Sequence, residues 1–214
     1  MVTPGDRQVE TPVGSQRLFA GKIFDLHRTT VRLPGGAEAT REWIEHPGSV
    51  VVAAVTAAGE VILVRQYRLP AGRALWELPA GRREPGEDPL AGARRELEEE
   101  TGLRARTWRL LARFYASPGY TSEHKWLFLA QDLEPGRRRP DPDEDIATRA
   151  VPLGEALAMA ERGEIADAKT LIGLLILERG GLLLPDAPGA AGPGGETGPA
   201  VEQGTGEAGA GPVP

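Results

Sequence analysis

Between Gly81 and Leu103 the chain reads GRREPGEDPLAGARRELEEETGL, a Gly/Pro-rich turn running straight into a short helix crowded with acids. From Asp88-Pro89 onward the apolar positions Leu90, Ala93 and Leu97 recur at helical spacing; Pro89 suits a first turn and Gly102-Leu103 a stop. That apolar stripe has to be buried, so the helix is committed to lying against a larger structure. At about 100° per residue, Glu96, Glu99 and Glu100 share one arc, whereas Glu98 points nearly the opposite way. Like charges at this spacing cost a helix roughly 0.2–0.5 kcal/mol per pair, so the cluster opposes the helix unless a cation sits over it. Arg95 can reach Glu99 one turn on, which leaves Glu96 and Glu100 for a metal ion. With no Cys and three His in the chain, a set of hard oxygens favours Mg²⁺ or Mn²⁺ over zinc. Mg²⁺ usually binds through one or two carboxylates plus substrate phosphate, which points to phosphate chemistry. A solvated acidic face is the ordinary explanation of a Glu-rich helix. The fuller pattern argues against it here.

The segment fits G-x5-E-x7-R-E-U-x-E-E-x-G-U, with U apolar, at Gly81, Glu87, Arg95, Glu96, Leu97, Glu99, Glu100, Gly102 and Leu103, with no departure. By this the chain resembles the Nudix hydrolases, which cleave nucleoside diphosphates linked to another moiety. The resemblance implies an α/β fold: a mixed sheet sandwiched between helices, α/β/α, here with an antiparallel N-terminal strand layer. It also implies divalent cations held by Glu96, Glu100 and the backbone carbonyl of Ala80, with Arg95 orienting Glu99 and Glu87 supporting the loop or an outer metal.

The chain is long enough for one good core, and 40% hydrophobic with 26% charged residues is the balance of a globular protein. One catalytic domain is expected. The absence of Cys excludes disulfides and thiolate metal sites, and no stretch reads as a signal peptide or transmembrane helix; a cytoplasmic setting without membrane contact is the expectation. A net charge of −6 argues against nucleic acid as a partner, although Asp186, Glu196, Glu202 and Glu207 near the C-terminus supply four of those charges. From about Leu184 to Pro214 Gly, Ala and Pro dominate, too few large apolar groups to offset ordering entropy, so residues 183–214 are expected to form a disordered tail. The expected division is an N-terminal strand layer over 1–45, a catalytic domain over 46–182, and that tail.

Ser49–Val55 and Val61–Arg68 are β-branched runs separated by five turn-forming residues, which reads as a hairpin central to the sheet. Gln16–Leu26, His27–Leu33 and Ala39–Glu45 alternate more weakly and read as exposed antiparallel strands, with Pro34-Gly35-Gly36 as a turn. Trp108–Tyr115 and Trp126–Ala130 read as further strands, and Leu153–Arg162 and Ala168–Glu178 as amphipathic helices.

Three more stretches are similar to the ADP-ribose pyrophosphatase branch of the family: Arg65-Gln66-Tyr67-Arg68, Trp76-Glu77-Leu78-Pro79-Ala80-Gly81, and Ser117-Pro118-Gly119-Tyr120-Thr121-Ser122-Glu123. Pro118 stands where that branch carries a marker Pro, and Asp167-Ala168-Lys169-Thr170 resembles its C-terminal helix entry. Arg65 and Arg68 fall on opposite faces of a regular strand, so only one is expected to face substrate; Arg68 matches the diphosphate-binding Arg. Glu123 is expected at a ribose, and Phe24, Arg41 and Trp43 are candidates for holding adenine. The acidic loop Asp141-Pro142-Asp143-Glu144-Asp145-Ile146 places Glu144 where the family has a catalytic or metal-binding Glu. A second acid often found two residues earlier is Pro142 here, so Glu144, Asp143 and Glu123 all stay candidates for the general base. The resemblance implies Mg²⁺-dependent attack of water on ADP-ribose, giving AMP and ribose 5-phosphate, in a homodimer whose N-terminal strands cross to the second copy. Alternatives are the same chemistry on another nucleotide sugar such as GDP-mannose, or on a dinucleotide, or a non-catalytic ADP-ribose sensor, whose usual sign would be a broken motif.

Overall fold

Strand β4 (Ser49–Ala54) is buried at all six positions, as an unbroken SVVVAA run demands: with no polar face to turn toward water, both faces must be covered. The computed structural model describes residues 9–139 and 145–180. The expected tail, and Asp141, Asp143 and Glu144 of the acidic loop, lie outside the described residues.

β4 runs parallel to β9 (His124–Pro135) and antiparallel to β7 (Ala80–Arg82), in a four-stranded mixed sheet of order β7-β4-β9-β8 with β8 at Leu103–Tyr115. Strand β5 (Glu60–Arg68) occupies the middle of a second sheet, between β10 (Ala147–Pro152) and β6 (Arg73–Glu77). The expected β4–β5 hairpin is therefore corrected. The intervening turn closes through Thr56 and Glu60, but between the two runs only the Val55–Val61 bridge forms before they separate into different sheets. Each run is apolar enough to be a central strand of its own sheet, and a run without alternation carries no information about its partner. The short β6, β7 and β10 had no such signal and were not anticipated.

Helix α1 (Pro89–Thr101) begins at Asp88, whose carboxylate accepts from the Leu90 and Ala91 amides, and ends at Gly102, whose φ of 72° suits a residue without a Cβ. Its buried Ala93 and Leu97 pack with Val50, Val52, Ala54, Phe128 and Ala130 on one face of the mixed sheet. The alternate residues Val51, Ala53, Leu127 and Leu129 face a second cluster containing Met159, Leu174 and Ile176 from α2 (Leu153–Glu161) and α3 (Ala168–Glu178). Strands between helices on both sides are the mixed α/β architecture expected of the chain.

An N-terminal antiparallel sheet, β1 (Thr11–Ala20), β2 (Asp25–Arg32) and β3 (Glu38–Glu45), stands beside this body. Paired Ile44–Tyr120 and Ser122–Ile44 backbone hydrogen bonds attach β3 to the loop before β9. Among the described residues no helix is long and apolar enough to cross a membrane.

Candidate active site

The turn from β7 into α1 folds the acids of the helix back over the strand that precedes them. Glu100, only 3% exposed, accepts a 3.1 Å hydrogen bond from the Ala80 amide through Oε2. One turn earlier, Glu96 lies against Gly81 so closely that a Cβ at that glycine would sit 2.0 Å from the carboxyl carbon. Glu96 and Glu100 thus flank one dipeptide, Ala80-Gly81.

Arg95 joins more of the loop than its helical spacing predicts. It reaches Glu99 at 3.0 Å, as expected of an i,i+4 pair, but the same Nη1 also donates to Glu96 at 2.8 Å. Its Nε and Nη2 bond Glu87 at 2.9 and 3.1 Å, and Nη2 also reaches the Arg82 carbonyl. Glu96 is therefore not left apart from the arginine as expected, because the loop from Arg82 to Asp88 wraps around the guanidinium and draws the first turn of acids toward it. Donation to the Glu87 carboxylate, together with the charges and acceptors of Glu96 and Glu99, pushes the Arg95 pKa further above its already high value. Arg95 in turn holds the Glu87 carboxyl below the ordinary range, so both stay charged. Glu98 turns to the other side, to Arg104 and the Arg137 amide.

These residues fit a hard divalent cation. The donors are carboxylate and carbonyl oxygens, the glycine leaves a cradle that any Cβ would fill, and the clustered negative charge exceeds what one arginine neutralises. Another grouping of ligand type, Asp25, His27 and Glu45, lies in the N-terminal sheet, where Asp25 already pairs with Arg17.

Ala80 and Gly81 also floor a cavity of about 360 Å³. Arg68 and Glu77 line it from one side, and Ser49, Glu123 and Lys125 from another. Arg68, at the end of β5, donates from Nε and Nη2 to the two oxygens of Glu77, both at 2.8 Å. Arg65 is exposed and is not among the residues lining the cavity. Burial works against the Glu77 charge, but Arg68 and Lys169 outweigh it and hold the carboxyl below the ordinary range. At Glu123 burial is likewise outweighed, by the Lys125 ammonium and the Ser49 hydroxyl 2.9 Å away. Desolvation lowers the pKa of the neighbouring His46, which favours its neutral form.

The remaining sequence candidates sit elsewhere in the single chain. Phe24, in the turn between β1 and β2, packs near Phe19 with ring centroids 6.2 Å apart, and Arg41 of β3 pairs with Glu10 just before β1. Trp43 stacks on His27 within the N-terminal sheet, and Pro118 belongs to the turn in which Tyr120 and Thr121 donate to the Ser117 carbonyl. Glu144 is outside the described residues. The stretches around Glu77 and Lys169 stand out in the sequence, but nothing in their local pattern gives either side chain a role, and Lys125 carries no local signal. No spacing rule links residues brought together from β5, β6, β9 and α3.

A family model described as the NUDIX domain matches residues 45–174. The chain is 41% identical over 171 residues to an ADP-ribose pyrophosphatase of Bacillus subtilis strain 168, covering 79% of this chain and 92% of that protein. It is 42% identical over 166 residues to an ADP-ribose pyrophosphatase of Mycobacterium tuberculosis, covering 76% and 80%. A crystal structure described as an ADP compounds hydrolase superposes with a TM-score of 0.71 at 22% identity, over 80% of this chain and 94% of that one, a likeness of fold.

Proposed function

The chain belongs to the Nudix family, and from that premise we propose that it hydrolyses the diphosphate of ADP-ribose to AMP and ribose 5-phosphate, with Mg²⁺ as its metal. The similarity to two ADP-ribose pyrophosphatases over most of the chain supports the substrate. The observation that carries the chemistry is the convergence of Glu96 and Glu100 on Ala80-Gly81 at the floor of a cavity that Arg68 also lines.

Glu96, Glu100 and the Ala80 carbonyl are the groups that would hold the metal. Divalent cations there supply neutralisation of the diphosphate and a lowered pKa for water. Arg95 gathers Glu87, Glu96 and Glu99 around one guanidinium, so the carboxylates are aimed before substrate arrives and their mutual repulsion is relieved. Arg68, fixed by two bonds to Glu77, presents the Nη1 that this pair does not use to a phosphate oxygen. Glu123 takes the ribose hydroxyls, and the general base is drawn from Glu144, Asp143 and Glu123. The test is turnover of ADP-ribose with Mg²⁺ in ¹⁸O-labelled water, beside GDP-mannose and a dinucleotide. The expected result is AMP and ribose 5-phosphate with label in one of them, which identifies the phosphorus attacked. Absence of metal-dependent cleavage of ADP-ribose, with GDP-mannose consumed instead, would overturn the substrate.

The N-terminal sheet supports a homodimer. Val13 and Phe19 of β1 and Ile23 and Phe24 of the turn after it are 38–61% exposed, β1 stands at the edge of the three-stranded sheet among the described residues, and an exposed apolar layer of this kind is characteristic of an interaction surface. Phe24 and Arg41 lie on this layer, and in the dimer they are offered to the second copy's adenosine. Sedimentation equilibrium is expected to give twice the chain mass, and the double variant Phe19→Ser, Phe24→Ser to shift it toward monomer. A wild-type protein that stays monomeric at micromolar concentration refutes the assembly.

A further inference from the structure

The first turn of α3 reaches the same cavity as Arg68, and it brings charge with it. Lys169 is 7% exposed, and its Nζ donates to Oε2 of Glu77, itself 2% exposed. Nζ also lies 2.9 Å from Oδ2 of Asp167, and the Asp167 side chain caps α3 by accepting from the Thr170 amide. Arg68, Glu77, Lys169 and Asp167 therefore form one chain of alternating sign along the cavity wall. Two cations balance two carboxylates.

Removing charge from such a chain does not leave its other members unchanged. Glu77 is too buried to be neutralised by water, so what Lys169 does not balance must be balanced by Arg68. Without Lys169 the wall carries one net negative charge, and Arg68 is spent on Glu77 when a diphosphate, itself anionic, has to enter. With Lys169 present the carboxylate is shared, and Arg68 keeps part of its charge for the ligand. We propose that Lys169 is a positioning residue for diphosphate binding: it acts through Glu77 to set the charge and orientation of Arg68. This rests on the assignment of Arg68 to the diphosphate under the proposed function.

Three variants test it, with KM and kcat for ADP-ribose and calorimetric affinity for ADP as readouts. Lys169→Met is expected to raise KM and weaken ADP binding by about tenfold, with kcat within about twofold, because the interaction lost is common to ground and transition states. Lys169→Arg keeps the charge and is expected to restore both within about threefold. Asp167→Asn has the opposite sign: Asn caps a helix as well as Asp does, the wall gains one net positive charge, and ADP should bind about threefold more tightly. The Lys169→Met and Asp167→Asn variants thus move affinity in opposite directions, which a packing role would not do. Unchanged KM in a folded Lys169→Met protein, or weaker ADP binding by Asp167→Asn, overturns the proposal. Should Lys169→Met fail to fold, Asp167→Asn alone decides. If the wild type does not hydrolyse ADP-ribose, the substrate reading fails, while the order of ADP affinities still tests the wall.

Discussion

Glu100→Gln is expected to lower kcat for ADP-ribose by about a thousandfold and to leave the melting temperature within a few degrees of wild type. The two halves have separate causes. Glutamine is close to isosteric, and its side-chain carbonyl can still accept from the Ala80 amide that now bonds Oε2, so the join between α1 and β7 survives. What disappears is the anionic charge of a group 3% exposed against Ala80, beside the cavity, and with it one of the two carboxylates that flank Ala80-Gly81 and would hold a hard cation. Burying a neutral amide in place of a carboxylate removes a desolvation cost, so no large loss of stability offsets the result. Steady-state turnover and a thermal melt on the same preparation check it. Hydrolysis at near-normal rate by a folded Glu100→Gln protein would remove Glu100 from the metal site.

Gly81→Ala is expected to cut turnover by about a hundredfold or more and to raise the Mg²⁺ concentration needed for half-maximal activity, again in a folded protein. The added methyl would lie 2.0 Å from the carboxyl carbon and Oε1 of Glu96, and 2.2 Å from its other oxygen. No carbon tolerates that approach, so one group must leave. The carboxylate is the flexible end of a side chain and yields first, which is why the fold tolerates the change. But it is also the group aimed at the cation, and its Arg95 contact at 2.8 Å ties its displacement to Glu87 and Glu99. Metal titration of activity separates this from general damage: half-saturation unchanged from wild type would show that Glu96 does not depend on the glycine.

Both variants probe a segment that was legible before any fold was known. The α1 stripe of Leu90, Ala93 and Leu97, Pro89 in the first turn and the Gly102 stop are local signals, since each depends on neighbours within one or two turns. The separation of Glu98 from Glu96, Glu99 and Glu100 follows from helical geometry alone, and Glu98 indeed turns away to Arg104. Helix α3 is likewise found at Ala168–Glu178, where its apolar repeat sets it. The β4–β5 pairing could not be read in the same way. SVVVAA and VILV announce burial on both faces but not a neighbour, and two central strands adjacent in sequence are free to enter different sheets.

Arg68 marks the limit at the site. Strand alternation separates it from Arg65, yet that it grips Glu77 depends on the β5–β6 register, which pairs Arg68 with Arg73 and Val64 with Glu77. That Glu77 also meets Lys169, 92 residues away in sequence, depends on α3 packing across the sheet. In the same way Lys125 finds Ser49 because β9 lies parallel to β4 with those two residues in register.

The amino-acid order alone determined which helix carries the acids, which way they point and where the helix begins and stops, because backbone hydrogen bonding and side-chain periodicity act over a few residues. Tertiary packing decided what surrounds them: the wrapping of Glu87 around Arg95, the seat of Glu96 on Gly81, and the Arg68–Glu77–Lys169–Asp167 wall. Those contacts join segments that meet only after apolar faces have been buried, and burial is nondirectional, so nothing in the local pattern encodes which distant charge arrives beside which.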